Sequence, residues 1–272
     1  MSAEKVALVT GASSGIGRET ANLLATRGFR VFGTARKPAD LDERLDSVEI
    51  ISLDVRDEES VHRALRTVLD KAVRIDVLVN NAGYTLIGAV EETSVEEAKQ
   101  LFETNLFGIL RTTQAILPVM REQRYGRIIN IGSLVGLLPA PYQGIYSASK
   151  HALEGFSESL DHETRQFGVR VSVIEPGFVR TNVAQNTQQA KQRLAVYDGE
   201  RDRVRETARG NVASGADPIV VAATVLEALE DRSPRQHYLV GREARLSSWL
   251  RKFVPETLFD KGLRKQFGLV RA

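Results

Sequence analysis

The chain has 272 residues, 42% of them hydrophobic and 26% charged, and no cysteine. This excludes a disordered chain, a disulfide scaffold, thiol catalysis and cysteine-ligated metal. Its 37 basic and 35 acidic residues leave a net charge of +2, with one modest basic concentration near the C-terminus, so nucleic acid is not an indicated partner.

Met1 to Lys5 runs straight into a short apolar segment with no leader pattern, and no apolar run approaches the ~20 residues that span a bilayer. A soluble, cytoplasmic protein is expected. Short β-branched runs predict strands at 6–9, 30–35, 48–53, 75–80, 127–131, 169–175 and 237–240. Helix-like segments fall between them at 15–27, 58–72, 94–121, 146–167 and 218–229. The alternation predicts an α/β protein: one Rossmann-like domain over 1–272, a doubly wound sheet of about seven mostly parallel strands with helices on both faces.

The first strand ends in Thr10-Gly11-Ala12-Ser13-Ser14-Gly15-Ile16-Gly17. Gly11 suits a tight turn, Gly15 removes a Cβ where a pyrophosphate approaches the backbone, and Gly17 lets the helix pack on the strand. The free N–H groups and positive dipole end of that helix then face phosphate, which makes the turn a dinucleotide site; a purely structural turn is the plain alternative. The second strand ends without an acid that could accept from ribose hydroxyls and offers Arg36, whose planar guanidinium suits a 2′-phosphate. NADP(H) is therefore expected, with NAD(H) as the alternative.

Tyr146 and Lys150, four apart at the start of a helix-like segment, share one helix face. A neighbouring ammonium stabilises a phenolate, so Lys150 is expected to lower the pKa of Tyr146 and make it a proton carrier. His151 points about 100° away around the helix and is given no catalytic part. The other three histidines receive no role, and no metal is expected. Two segments break the alternation. Residues 182–215 are polar and read as a lid over the ligand crevice, and 245–272 read as an amphipathic tail interrupted by Pro255. The tail's apolar face is expected to pack on the domain or a partner subunit, with peripheral membrane contact as the alternative.

Together these stretches resemble the short-chain dehydrogenase/reductase family over residues 5–240. The resemblance rests on T-G-x-x-x-G-x-G at Thr10 to Gly17, N-N-A-G at Asn80 to Gly83, Y-x-x-x-K at Tyr146 to Lys150 and P-G-x-x-x-T at Pro176 to Thr181, with Ser133 and Asn105 in register. It implies that Tyr146 is the general acid or base, that Lys150 tunes it and bonds the nicotinamide ribose, and that Ser133 donates to the substrate oxygen. Asn105 would hold a water linking Lys150 to solvent. The cofactor would lie against Thr10, Gly11, Ser13, Ser14, Gly15, Ile16, Gly17 and Arg36, then Asp54 and Val55 at the adenine, and Asn81, Ala82 and Gly83. Tyr146, Lys150, Pro176, Gly177, Val179 and Thr181 would flank its nicotinamide half. Asn80 is expected to bridge neighbouring strands, with Asn130 and Ser149 structural. Two departures stand out: Ser14 occupies a place that some NADP-preferring relatives fill with a base, and Gly132 replaces a frequent Ser or Ala.

Substrate contacts implied by the resemblance are Ser133, Leu134, Tyr142, Tyr146 and Phe178, with Leu137, Leu138, Pro139, Pro141 and Val183 adding apolar surface. They suggest an apolar carbonyl or alcohol of steroid, retinoid or fatty-acyl type. A 3-oxoacyl-carrier reductase and a non-catalytic dinucleotide-binding sensor or scaffold are the rival functions. The family also implies a homodimer or homotetramer through the long helices.

Overall fold

β1 (Val6–Val9) is buried along its whole length, because Ala7 and Val9 enter one helix layer while Val6 and Leu8 enter another. Such a strand needs no polar alternation, which is the pattern of a parallel sheet covered on both faces. The computed structural model describes residues 4–38, 47–181 and 187–269. After β1 come α1 (Gly15–Thr26), β2 (Arg30–Ala35), β3 (Val48–Ser52), α2 (Glu58–Ala72), β4 (Val77–Asn80), β5 (Thr85–Ile87) and α3 (Val95–Phe102). Then follow α4 (Gly108–Gln123), β6 (Gly126–Ile131), α5 (Gly144–Thr164), β7 (Val169–Pro176), β8 (Thr187–Gln189) and α6 (Asp198–Ala213). The chain closes with α7 (Pro218–Glu230), β9 (His237–Val240), α8 (Arg242–Phe253) and α9 (Glu256–Gln266).

Seven strands form one sheet in the order β3-β2-β1-β4-β6-β7-β9, and every pairing in it is parallel. This is the doubly wound sheet of about seven strands expected from the sequence, with every strand parallel. Helices α1 and α7 cover one face through Ala21, Leu24, Val221, Val225 and Leu229. Helices α2, α4 and α5 cover the other through Val68, Ile116, Met120 and Leu160. Register places Asn80 opposite Asn130, and both amides are buried. Asn80 donates to Asn130 Oδ1 at 2.9 Å and accepts from Thr112 at 2.7 Å, while Asn130 donates to Ser157 Oγ at 2.8 Å. This is the strand bridge expected of Asn80.

Three expectations need correction. The helix at 94–121 is broken by a π turn, Glu103–Phe107, in which Gly108 N–H reaches back to Glu103 O. The apolar period runs through the break, so the sequence hides it. The lid segment is not an interruption of the fold: beyond Asn182 and Val183, which lie outside the described residues, it carries β8 and α6. β8 pairs in parallel with β5, and α6 is held by a buried ion pair between Arg201 and Glu92. The tail is split between two environments. Leu263, Phe267 and Leu269 pack with Val204 of α6 and with Tyr142, while Leu246, Trp249, Phe253 and Leu258 stay exposed. No described helix is long and apolar enough to cross a membrane.

Candidate active site

The strand order reverses between β1 and β4, and ligands of doubly wound sheets bind outside the strand ends at such a switch point. There the turn after β1 holds Gly11 at φ +66° and Gly15 at φ +57°, conformations that glycine adopts freely. A Cβ on Gly17 would lie 2.4 Å from both Gly11 O and Asn81 Nδ2. The turn is stitched to the end of β4: Thr10 Oγ1 accepts from the N–H groups of Asn81 (2.9 Å) and Ala82 (3.0 Å), and Asn81 Nδ2 donates to Thr10 O and Gly11 O, both at 3.0 Å. Thr10 and Asn81 therefore spend their side chains on shaping the turn. Ser14, extended at the N-cap of α1, makes no side-chain cap, and the first turn carries no acid. Its N–H groups and dipole remain available for an anion, so the residues present fit a dinucleotide pyrophosphate. A Cβ on Gly15 would touch Thr181 at 3.2 Å, so the turn and the segment after β7 face each other across the crevice.

At the adenosine end Arg36 is exposed and forms no ion pair among the described residues. Asp54 does not stand free there. Arg56 grips both its oxygens, at 3.0 and 2.7 Å, and holds its carboxyl below the usual carboxylate range. Val55 beside it is buried, and its side chain packs where a Cβ on Gly108 would come within 2.7 Å of it. Val179 and Pro176 are likewise buried; Gly177, Phe178 and Thr181 are half-exposed, and Gly83 is exposed.

At the other end of the crevice Ser133, just after β6, and Thr85 of β5 face the Tyr146 phenol closely enough to oppose the rise of its pKa. Lys150 is buried one turn along α5, with its Nζ 6.0 Å from the centre of the Tyr146 ring. That ammonium donates to Ile131 O at 2.7 Å rather than to the phenol. Burial raises the Tyr146 pKa, and burial lowers Lys150 to about 8. Desolvation is the largest influence on the phenol, and the influences that oppose it come from Thr85 and Ser133 rather than from the Lys150 ammonium. Asn105 is turned inward by the π turn. Its Nδ2 donates to Tyr84 O at 2.9 Å and its Oδ1 accepts from Tyr84 N at 3.1 Å, with Ser149 Oγ 3.4 Å away.

Behind Lys150 lies a buried charge cluster that the sequence reading missed. His237, on β9, donates through Nδ1 to Glu175 at 3.0 Å, with Glu154 at 3.5 Å, and its Nε2 faces Glu158 at 3.2 Å. The Glu154 and Glu175 carboxylates push the imidazolium up to about 10, while burial raises Glu154. Ligand atoms of Glu154, Glu175 and His237 lie within 4.8 Å of one another, a spacing a cation would fill, and the protonated imidazole supplies that charge here. The signal for this cluster was Glu175, a carboxylate inside an otherwise apolar strand. Glu154 also explains Gly132: a Cβ there would lie 2.6 Å from Val173 Cγ1 and 3.0 Å from Glu154 Oε1.

In the loop between Ser133 and α5, Tyr142 adopts φ +59°, a strained value for a bulky residue. Its hydroxyl donates to Glu200 of α6 at 3.3 Å and its ring meets Tyr197 edge-on. Leu134 and Leu137 are half-buried and Pro139 is exposed, but Leu138 is only 5% exposed and belongs to the core rather than to a substrate surface.

Residues 5–192 match the family described as short chain dehydrogenase. A 3-ketodihydrosphingosine reductase from Bacteroides thetaiotaomicron is 42% identical over 182 residues, which is 67% of this chain and 66% of that one. A short-chain dehydrogenase from Streptomyces avermitilis has a similar structure, with a TM-score of 0.84 at 37% identity, covering 97% of this chain and 99% of that one. A short-chain dehydrogenase/reductase from Burkholderia phymatum, solved in complex with NAD, gives a TM-score of 0.80 at 28% identity over 92% of this chain and 93% of that one.

Proposed function

The chain belongs to the short-chain dehydrogenase family, oxidoreductases that work between CH–OH and C=O with a nicotinamide dinucleotide, and within it we propose an NADP(H)-dependent enzyme for apolar ketones or secondary alcohols. The observation that carries this reading is the meeting of Ser133 and Tyr146 at the crevice, with Lys150 buried behind them, opposite an uncapped helix N-terminus. Bound in that crevice, the nicotinamide would supply or accept the hydride.

The remaining work falls to the protein. Ser13, Ser14, Gly15 and Ile16 present backbone N–H groups to the pyrophosphate, Gly11 shapes the turn while its own N–H donates to Thr34 Oγ1, and Arg36 takes the 2′-phosphate. Ser133 donates to the substrate oxygen, and Tyr146, kept protonated by burial, gives its phenolic proton to that oxygen as hydride reaches the carbon. Lys150 restores the proton balance of Tyr146, and Asn105, fixed by Tyr84, orders the route to solvent. Leu134, Tyr142 and Phe178 line the apolar approach, which favours a steroid, retinoid or fatty-acyl ketone. A homodimer or homotetramer through α4 and α5 belongs to the same reading; Phe107, just before α4, is 42% exposed.

Titration with NADPH and with NADH, followed by nicotinamide fluorescence, tests the coenzyme assignment. NADPH should bind at least about tenfold tighter, ~1.4 kcal/mol, and Arg36→Asp should reverse the order. Equal or tighter NADH overturns the assignment, and binding of neither overturns the enzyme reading.

A further inference from the structure

We propose that α8 and the start of α9 form a docking face for the surface of an anionic lipid bilayer. Leu246, Trp249 and Phe253 recur at i, i+3 and i+7 along one side of α8, with exposures of 53%, 56% and 61%. Leu258, at 58%, adds to this apolar surface from α9. The fold does not use these side chains: the opposite side of α8 buries Ala244, and the tail attaches to the domain through Leu263, Phe267 and Leu269. The tail thus has an inner apolar face that is satisfied and an outer one that is not.

Charge selects the occupant. Between Arg242 and Gln266 there are seven Lys or Arg and three Asp or Glu, a local net charge of +4 in a chain whose total is only +2. The rest of the molecule is therefore slightly acidic and the tail is its positive pole. Arg245 and Lys252 lie together along one side of the stripe on α8, and Lys252 lies 5.7 Å from the centre of the Phe253 ring. Among the described residues, none of these cations has a carboxylate partner. A helix with Trp, Phe and Leu on one side and unpaired cations beside them settles at a headgroup boundary, and anionic lipid strengthens the adsorption. A two-fold pairing of the same face with a second copy would instead set one positive pole against another. Docking would also bring the crevice mouth close to lipid, because the inner side of this tail packs on α6 and Tyr142. That last step rests on the apolar-substrate reading; the docking itself does not.

Trp249 is the only tryptophan, so tryptophan emission of the full chain, excited at the red edge where the six tyrosines do not absorb, reports on the stripe alone. The protein is titrated with phosphatidylcholine vesicles, with and without phosphatidylglycerol, and sedimented with them. Expected are a blue shift and co-sedimentation with phosphatidylglycerol vesicles, weakened about tenfold or more by omitting the anionic lipid or raising the salt. Leu246→Ser with Phe253→Ser, and separately Arg245→Glu with Lys252→Glu, should abolish binding while leaving NADPH affinity and circular dichroism unchanged. Absence of any shift or sedimentation, or equal affinity for neutral vesicles, overturns the proposal. So does a blue shift that follows protein concentration without vesicles and tracks a dimer mass, which would assign the face to a second copy. NADPH binding measured without vesicles tests the coenzyme reading separately.

Discussion

Burial moves the two titratable groups at the reacting end in opposite directions, raising the Tyr146 phenol and lowering the Lys150 ammonium to about 8. Both shifts favour the neutral form, so Tyr146 holds its proton until charge develops on the substrate oxygen. Tyr146→Phe keeps the ring and removes that proton; turnover should fall by about 10²–10⁴, with coenzyme affinity held within about twofold. A Phe variant with near wild-type turnover would refute the assignment. His237 makes a stability prediction whose sign can be worked out. Its folded pKa of about 10 exceeds the ordinary 6.5, so its stabilisation is complete below pH 6.5 and is lost as pH rises through about 10. His237→Gln should cost about 1–2 kcal/mol at pH 7, after discounting for its partial exposure. By pH 10 the deficit relative to wild type should shrink toward zero in urea unfolding. An equal deficit at both pH values would mean that packing, not charge, is lost.

At the scale of elements, the strand, turn and helix around Gly11 to Gly17 were legible because all their constraints are local. Glycines at fixed spacing, an apolar strand before them and a helical period after them fall within one short stretch. The structure adds the reason for Gly17: its missing Cβ would meet a backbone oxygen that cannot swing aside. Gly17→Ala should therefore weaken NADPH at least about tenfold and lower stability by about 1–3 kcal/mol. Gly155→Ala is the contrast, because nothing lies within 4 Å of its Cβ position in α5. It should be neutral or stabilising by up to about 1 kcal/mol. Both are read from coenzyme titration and denaturant midpoints, and equal effects would deny the turn its special geometry. What stayed illegible was non-local or very short. The cluster of Glu154, Glu175 and His237 draws on α5, β7 and β9, and no spacing along the chain reports that meeting. β5 and β8 have three residues each, too few for a period of two to register. The phenol's direction of shift was missed because sequence shows that a lysine is near but not how dry the site is.

In the whole molecule, β8 and α6 are tied to the rest of the fold through a buried carboxylate. Glu92, 1% exposed, is the hub: it pairs with Arg201, accepts from Leu194 N at 2.8 Å and accepts from Ala89 N at 3.0 Å. Arg201, itself 6% exposed, also reaches Asp198, so α6 is clamped at its first turn. Farther along α6, Val204 meets Phe267 and Leu269, which makes α6 and the end of the tail one packed unit beside Tyr142. The sheet core does not include this unit, so weakening the clamp should release it without unfolding the dinucleotide half. Arg201→Met keeps the bulk but strands a buried carboxylate, which costs about 3–5 kcal/mol when local relaxation is prevented. Opening α6 avoids that cost by hydrating Glu92. Limited proteolysis of the variant should therefore cut preferentially within 187–215, KM for an apolar ketone should rise at least about tenfold, and the NADPH dissociation constant should change by less than about threefold. Glu92→Gln with Arg201→Met removes the stranded charge and should restore protease resistance in part. Cleavage spread evenly along the chain, with coenzyme affinity lost in step with KM, would mean that α6, tail and sheet unfold together.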